Sequence, residues 1–146
     1  ATKPGEIVDG AGRILGHHSG IHNFTIGQRR GLNIALGKPA YVIRIHPSAN
    51  TVVISSDSED LMVTSFSVSS CNWIEPVPGE IGMDAMVKIR YMHPGAAARV
   101  ISTGPDTADV RFDTPQRAVT PGQAAVFYQG DTVVGGGWID SDDTGL

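Results

Sequence analysis

The feature that most constrains the fold is a series of short alternating segments in the C-terminal half of the chain. About six stretches there show the alternation of side chains that is typical of β-strands. The connections between them are short and rich in glycine, proline and aspartate. This spacing predicts a six-stranded antiparallel barrel, closed or nearly so, because closure removes unpaired strand edges. The segments are residues 65–74, 85–91, 97–102, 108–113, 124–128 and 132–139.

One of these segments, AMVKIRY, alternates clearly enough to predict which side chains are buried. Successive residues of a strand point to opposite faces, so Val87 and Ile89 are predicted to face the barrel core, with Tyr91 on the same side. Lys88 and Arg90 are predicted to point outward into solvent.

A smaller β-rich unit is predicted before the barrel, which places the domains at residues 1–62 and 63–146. Short apolar segments separated by turn residues predict its strands. The strands are predicted at residues 3–9, 13–16, 40–46 and 51–56, with helical turns near residues 21–26 and from residue 61.

The stretch HHSGIHNFTIGQRRGL, in this first unit, has a composition that a plain connection does not need. Gly27 and Gly31 bracket a short basic segment and permit positive φ or a close approach to another surface. Arg29 and Arg30 offer forked donors that suit phosphate, carboxylate or a guanine edge, and the Gln28 amide can both donate and accept. A solvated turn whose arginines only face water is equally consistent with this composition.

Charge is distributed unevenly along the chain. Residues 10–56 contain no acid and carry a formal charge of +5, whereas residues 57–146 carry −8. The net charge of −4 would argue against a nucleic-acid binder if it were spread evenly. Because the positive charge lies in the half with the unusual loop, that half could attract a polyanion.

Cys71 is the only cysteine, so an internal disulfide is impossible and a reducing, cytoplasmic setting is predicted. It is expected to be a small buried side chain rather than a nucleophile. No apolar run approaches the length of a membrane span, so no membrane partner is predicted. The chain begins with alanine instead of methionine, as expected of a processed chain or a piece of a longer one.

Other motifs predict no chemistry for this chain alone. His17, His18 and His22 suggest a metal site, but no cysteine or acid lies near enough in sequence to complete a usual ligand set. The run Gly135–Gly137 lacks a following Lys-Ser/Thr, so a bulge or close backbone approach is predicted there instead of a nucleotide phosphate loop. No catalytic residue, metal or cofactor is therefore predicted.

The segment between the fourth and fifth barrel strands is a second candidate contact region. Two prolines stiffen residues 115–123, and Gln116 and Arg117 are suited to present donors to a partner. A structural alternative is that this loop simply crosses the barrel end, with Gln123 satisfying backbone groups.

Several motifs together resemble the C-terminal half of bacterial tRNA-specific 2-thiouridylases, from about residue 3 to about residue 140. The resemblance rests on KPGEIVD, LGHHSGIHNFTIGQRRGL, YVIRIHPSANTVVIS, NWI, KIRY, VRFDTPQRAVTPGQAAVFYQGD and VVGGGWI. It implies a central domain followed by a barrel that resembles the second domain of translation elongation factors. Members of this family use ATP to adenylate the 2-oxygen of the wobble uridine, which a persulfide sulfur then replaces.

The chain departs from the full family pattern, because the Ser-Gly-Gly-x-Asp-Ser loop is absent and Cys71 matches neither catalytic cysteine. The resemblance therefore implies tRNA recognition and support of the active site, with ATP bound outside this chain. The implied partners are tRNA, a catalytic N-terminal domain and a sulfur-donor protein. The candidate RNA-binding residues are His17, His22, Gln28, Arg29, Arg30, Lys88, Arg90, Gln116 and Arg117, with Gly27 and Gly31 shaping the loop.

Two other functions remain open on the residues alone. One is a stand-alone β-barrel module that binds protein or peptide, with the basic loop meeting an acidic partner. The other is a metal-assisted hydrolase that uses His17, His18 and His22.

Overall fold

The computed structural model describes residues 3–32, 37–74 and 79–140. These ranges hold ten β-strands and two short 3-10 turns, which confirms the predicted mainly β fold. No helix within them is both long and apolar enough to cross a membrane. The strands are β1 (Gly5–Val8), β2 (Ile14–His18), β3 (Tyr41–His46), β4 (Thr51–Ser55), β5 (Met62–Trp73), β6 (Met83–Lys88), β7 (Ala96–Ser102), β8 (Ala108–Arg117), β9 (Ala124–Gln129) and β10 (Thr132–Ile139).

The chain divides into two compact units, residues 1–62 and residues 63–141. The last residues of the predicted second domain, 141–146, lie outside the described ranges.

The first unit is built on a four-stranded sheet in the order β2-β1-β4-β3. Antiparallel pairs join β1 to β2 and β3 to β4, and β1 and β4 connect the two pairs as parallel neighbours. The β1–β2 turn is closed by the Asp9 carboxylate, which accepts hydrogen bonds from the backbone N–H of Ala11 and Arg13 at 3.0 and 2.9 Å. Such an Asx-type contact is the reason aspartate favours turns.

The two predicted helical turns differ in extent from the sequence expectation. The first covers only Ile21–Asn23. The second covers Ser58–Leu61, so it ends at the residue where it was predicted to begin. The Asp57 side chain accepts a hydrogen bond from the Glu59 N–H and caps the start of this turn.

The second unit is the predicted six-stranded barrel, and it is closed, in the order β10-β5-β8-β7-β6-β9. Antiparallel pairing joins β6 to β7 and β9, β7 to β8, and β10 to β5 and β9. Inward-facing apolar side chains fill its interior, among them Val68, Val87, Val100, Val110 and Phe127, each fully buried.

The predicted register of β6 is confirmed. Val87 and Ile89 are buried, whereas Lys88 is only half-buried and Arg90 is exposed. The prediction for Tyr91 was wrong, because that side chain is 95% exposed. Strand β6 ends at Lys88, and the His93 N–H bonds back to the Arg90 carbonyl at 3.1 Å, so alternation stops before Tyr91.

The glycine run of β10 makes the close approach that was predicted. A Cβ atom on Gly135 would lie 2.6 Å from the Trp73 ring, and one on Gly137 would lie 2.6 Å from Val68. The pairing register of β10 also shifts, between Gly136 and Trp138 on the β5 side. These glycines therefore let β10 pack tightly against its neighbour, and their backbone is not presented as a phosphate cradle.

Candidate RNA-binding surfaces

The GQRRG loop, Gly27–Gly31, is fastened to the first residues of β3. The Gly27 N–H donates to the Val42 carbonyl at 2.7 Å, and the Val42 N–H donates to the Gln28 carbonyl at 2.9 Å. These two bonds hold the loop against the edge of the sheet as a strand pair would.

The Gln28 side chain is used inside the loop. Its Oε1 accepts a hydrogen bond from the Thr25 N–H at 3.0 Å, and its Nε2 donates to the Arg30 carbonyl at 2.8 Å. An amide that bridges both arms of a loop stabilises the loop's shape, a role for Gln28 that the sequence alone does not indicate. Its proposed contact with RNA stays a prediction.

Gly27 and Gly31 both adopt positive φ angles, of 90° and 74°. This conformation costs an ordinary residue energy because its Cβ crowds the backbone. Both glycines therefore allow the backbone to turn on either side of the two arginines.

Gly31→Ala is expected to lower the free energy of unfolding by about 1–2 kcal/mol, the cost of a left-handed conformation for a residue with a Cβ. The cause is the φ angle alone, since the added Cβ would meet only Gln28 Nε2, at 3.8 Å. Chemical denaturation followed by far-UV circular dichroism measures the change. Gly10→Ala is the matched control, because a Cβ there meets nothing within 4 Å. Equal effects from both substitutions would contradict this account.

Arg29 and Arg30 are exposed at the tip of the loop. The Arg29 guanidinium carbon lies 5.5 Å from the centre of the Tyr41 ring, a cation–π distance. Stacking on a ring orients a guanidinium while its N–H donors still project from the edge of the group. The Arg29 guanidinium is thus oriented by Tyr41, and its N–H donors remain available to a phosphate or a base.

The three histidines before the loop are not equivalent. His17 and His22 are exposed, whereas His18 is buried. His18 Nε2 lies 2.9 Å from the Asn50 carbonyl oxygen, and its ring packs edge-on against Phe24 at 5.5 Å. The geometry favours a structural role for His18, and the described ranges contain no group of three or more His, Cys, Asp or Glu side chains placed to hold a metal ion.

Four other candidates lie at the end of the barrel where β6 and β8 finish: Lys88, Arg90, Gln116 and Arg117. We call this the basic end. Arg90 Nη1 donates to the Arg117 carbonyl at 3.1 Å, which joins the β6–β7 connection to the end of β8. Lys88 Nζ lies 5.0 Å from the centre of the Tyr128 ring. Gln116 Nε2 donates to the Thr114 carbonyl at 3.0 Å.

The alternative reading of residues 115–123 is partly correct. Residues 115–117 belong to β8, so the predicted connection is shorter than expected. The rest of the segment crosses the barrel end and bonds to β10, but through backbone groups. The Gly122 N–H donates to the Ile139 carbonyl at 2.8 Å, and the Ile139 N–H donates to the Gln123 carbonyl at 2.9 Å. The Gln123 side chain is not what satisfies these groups.

The barrel is electrically polarised along its axis. Lys88, Arg90 and Arg117 lie at the basic end, which also carries Asp140, whose carboxylate accepts a bond from Ser69 Oγ at 2.6 Å. Acids dominate the opposite end, where β6, β8 and β10 begin. These acids are Glu80, Asp84, Asp106, Asp109 and Asp131. Although this half of the sequence has a negative net charge, the basic end of the barrel is suited to a polyanion because the acids are concentrated at the opposite end.

Cys71 is 7% exposed inside the barrel, as predicted for a small core side chain. Burial raises the pKa of its thiol to about 11, and the nearby charges of Asp106 and Asp140 act in the same direction. Since the thiolate is the reactive form, the side chain is poorly suited to sulfur chemistry.

The Cys71 thiol is expected to react slowly with an aromatic disulfide reagent at pH 8 in the folded chain, and rapidly after denaturation. At that pH a thiol with a pKa of about 11 is almost entirely protonated. Absorbance of the released thiolate measures the rate. Cys71→Ser is expected to leave tRNA binding unchanged, and fast labelling of the native chain would contradict the assignment.

Comparison with known proteins covers both units. Residues 63–139 match the family model described as the aminomethyltransferase beta-barrel domain. Residues 1–56 match the one described as the tRNA methyl transferase PRC-barrel domain.

Curated relatives match nearly the whole chain. It is 50% identical over 139 residues to the tRNA-specific 2-thiouridylase MnmA of Solibacter usitatus, covering 93% of this chain and 37% of the relative. It is 48% identical over 135 residues to the protein of the same name from Koribacter versatilis, covering 92% of this chain and 36% of the relative. The chain thus spans little more than a third of the length of these relatives. It belongs to the family of tRNA-specific 2-thiouridylases and corresponds to a C-terminal portion of its members.

Proposed function

We propose that this chain is the tRNA-recognition and active-site-supporting portion of a tRNA-uridine 2-sulfurtransferase, which thiolates the wobble uridine. The observation that carries the proposal is a preorganised basic surface on each unit of a chain whose relatives are named for a tRNA substrate. The GQRRG loop presents Arg29 and Arg30, and the basic end of the barrel presents Arg90 beside Arg117. Arginine side chains on a rigid backbone suit the phosphates and splayed bases by which RNA is recognised.

The catalytic steps belong to other parts of the full protein in this proposal. The glycine run of β10 is packed against neighbouring strands and does not fit an ATP phosphate, and Cys71 is buried with a raised pKa. As the family resemblance implies, ATP is assigned in this proposal to a catalytic N-terminal domain that also handles the sulfur, with a separate donor protein supplying it. The chain alone performs no catalysis, and the cytoplasm, where tRNA is modified, is its proposed location.

The proposal is tested by measuring the affinity of the chain for fluorescently labelled tRNA by anisotropy across a salt titration. A fully paired RNA duplex and an acidic polyglutamate peptide serve as comparison ligands. Tighter binding of tRNA is expected, with an affinity that falls linearly with salt on logarithmic axes because counterions are released. Preference for the acidic peptide would favour a protein-interaction module and contradict tRNA recognition.

A further inference from the structure

The connection between β6 and β7 displays two large apolar side chains at its tip. Tyr91 is 95% exposed and Met92 is 82% exposed, whereas Ile89 and His93 on either side are buried to 1% and 5%. The Tyr91 side chain therefore does not pack on the barrel, although residues on either side of it are buried in the barrel. The sequence gives no sign of this exposure, because the motif KIRY extends the strand alternation through Tyr91.

The tip is held rigidly by its buried neighbour. The Gly95 N–H donates to His93 Nδ1 at 3.3 Å, so the ring proton lies on Nε2, which faces Gln116 Oε1 at 3.0 Å. The Gln116 amide is oriented in turn by its bond to Thr114. A preformed backbone reduces the ordering cost that a flexible loop would incur on binding.

The surroundings of Tyr91 are basic. Arg90 precedes it and is fixed to the carbonyl of Arg117, and Lys88 lies two residues before Arg90 at the end of β6. An exposed aromatic ring beside cationic side chains is the combination with which proteins bind unpaired nucleotides, since the ring stacks on a base while the cations meet the backbone. A peptide partner would gain less from this concentration of positive charge.

We propose that Tyr91 is a stacking platform for an unpaired base of the bound tRNA, with Arg90 contacting an adjacent phosphate. This inference rests on the proposed function and names the residue through which the barrel recognises single-stranded RNA. The phenol ring supplies the contact area, and the His93–Gln116 pair fixes its position.

The test compares Tyr91→Ala, Tyr91→Phe and Arg90→Ala with the unchanged chain, using labelled tRNA and a fully paired RNA duplex as probes. Tyr91→Ala is expected to weaken tRNA binding by about tenfold, within the range for loss of one base–aromatic stack, without altering the salt slope. Tyr91→Phe retains the ring and is expected to bind as the unchanged chain does. Arg90→Ala is expected to reduce the salt slope, and duplex binding is expected to be insensitive to Tyr91→Ala.

Ile81→Ala is the matched control, because Ile81 is 83% exposed and precedes β6 at the opposite end of the barrel. Thermal unfolding checks that each variant remains folded. Unchanged tRNA affinity of Tyr91→Ala overturns the stacking inference and leaves the proposed function standing. Equal losses from Tyr91→Phe and Tyr91→Ala assign the contact to the hydroxyl and also overturn it. Failure of the unchanged chain to prefer tRNA overturns both.

Discussion

Replacing Phe127 by alanine is expected to lower the free energy of unfolding of the barrel by about 3–5 kcal/mol, as for other aromatic truncations in packed cores. Phe127 is fully buried, and its ring stacks on Trp73 with centres 5.6 Å apart and an angle of 27°. It pairs across the strands with Val87 and Gly135, so the lost ring leaves a cavity at the middle of the barrel. Urea unfolding followed by tryptophan fluorescence measures the loss.

Tryptophan fluorescence reports the barrel alone, because the two tryptophans of the chain are Trp73 and Trp138, in β5 and β10. Val133→Ala is the control, since this side chain lies in the neighbouring strand but is 37% exposed. The truncation at residue 133 is expected to cost far less than that at residue 127. Similar costs would mean that Phe127 is not central to the core.

Replacing Arg29 and Arg30 together by alanine is expected to weaken tRNA binding by about 1–3 kcal/mol for each good contact that is lost. Both side chains are exposed on a loop whose backbone is fixed to Val42, so the substitution removes donors without removing the loop's own hydrogen bonds. The salt dependence of binding is expected to flatten, by roughly one released counterion for each phosphate contact. Titration of tRNA affinity across salt measures both effects.

A control of equal charge is available in Arg13→Ala combined with Arg99→Ala. Arg13 pairs with Asp9 at 2.8 Å and Arg99 pairs with Asp84 at 3.0 Å, so both cations already face a carboxylate. Their loss is expected to alter the salt slope much less. An unchanged slope in the Arg29 and Arg30 variant would show that these arginines are not phosphate contacts.

Local pattern was sufficient to predict where the strands lie and which residues of β6 face the core. Side chains alternate with a period of two in any strand, so the burial of Val87 and Ile89 could be derived from the sequence. Glycine carries similar local information, and the packing of Gly135–Gly137 and the positive φ of Gly31 follow from the lack of a Cβ. The quoted motifs also pointed to the family to which the curated relatives belong.

Contacts between distant segments were decided only by the tertiary structure. Alternation carries no mark of where a strand ends, so Tyr91 was predicted to be buried and is exposed because a turn begins at Arg90. The His93–Gln116 bond joins residues that only the closed barrel brings together. The parallel pairing of β1 with β4, and the separation of charge between the two barrel ends, likewise depend on the order of strands in each sheet, since no local pattern specifies which strands become neighbours.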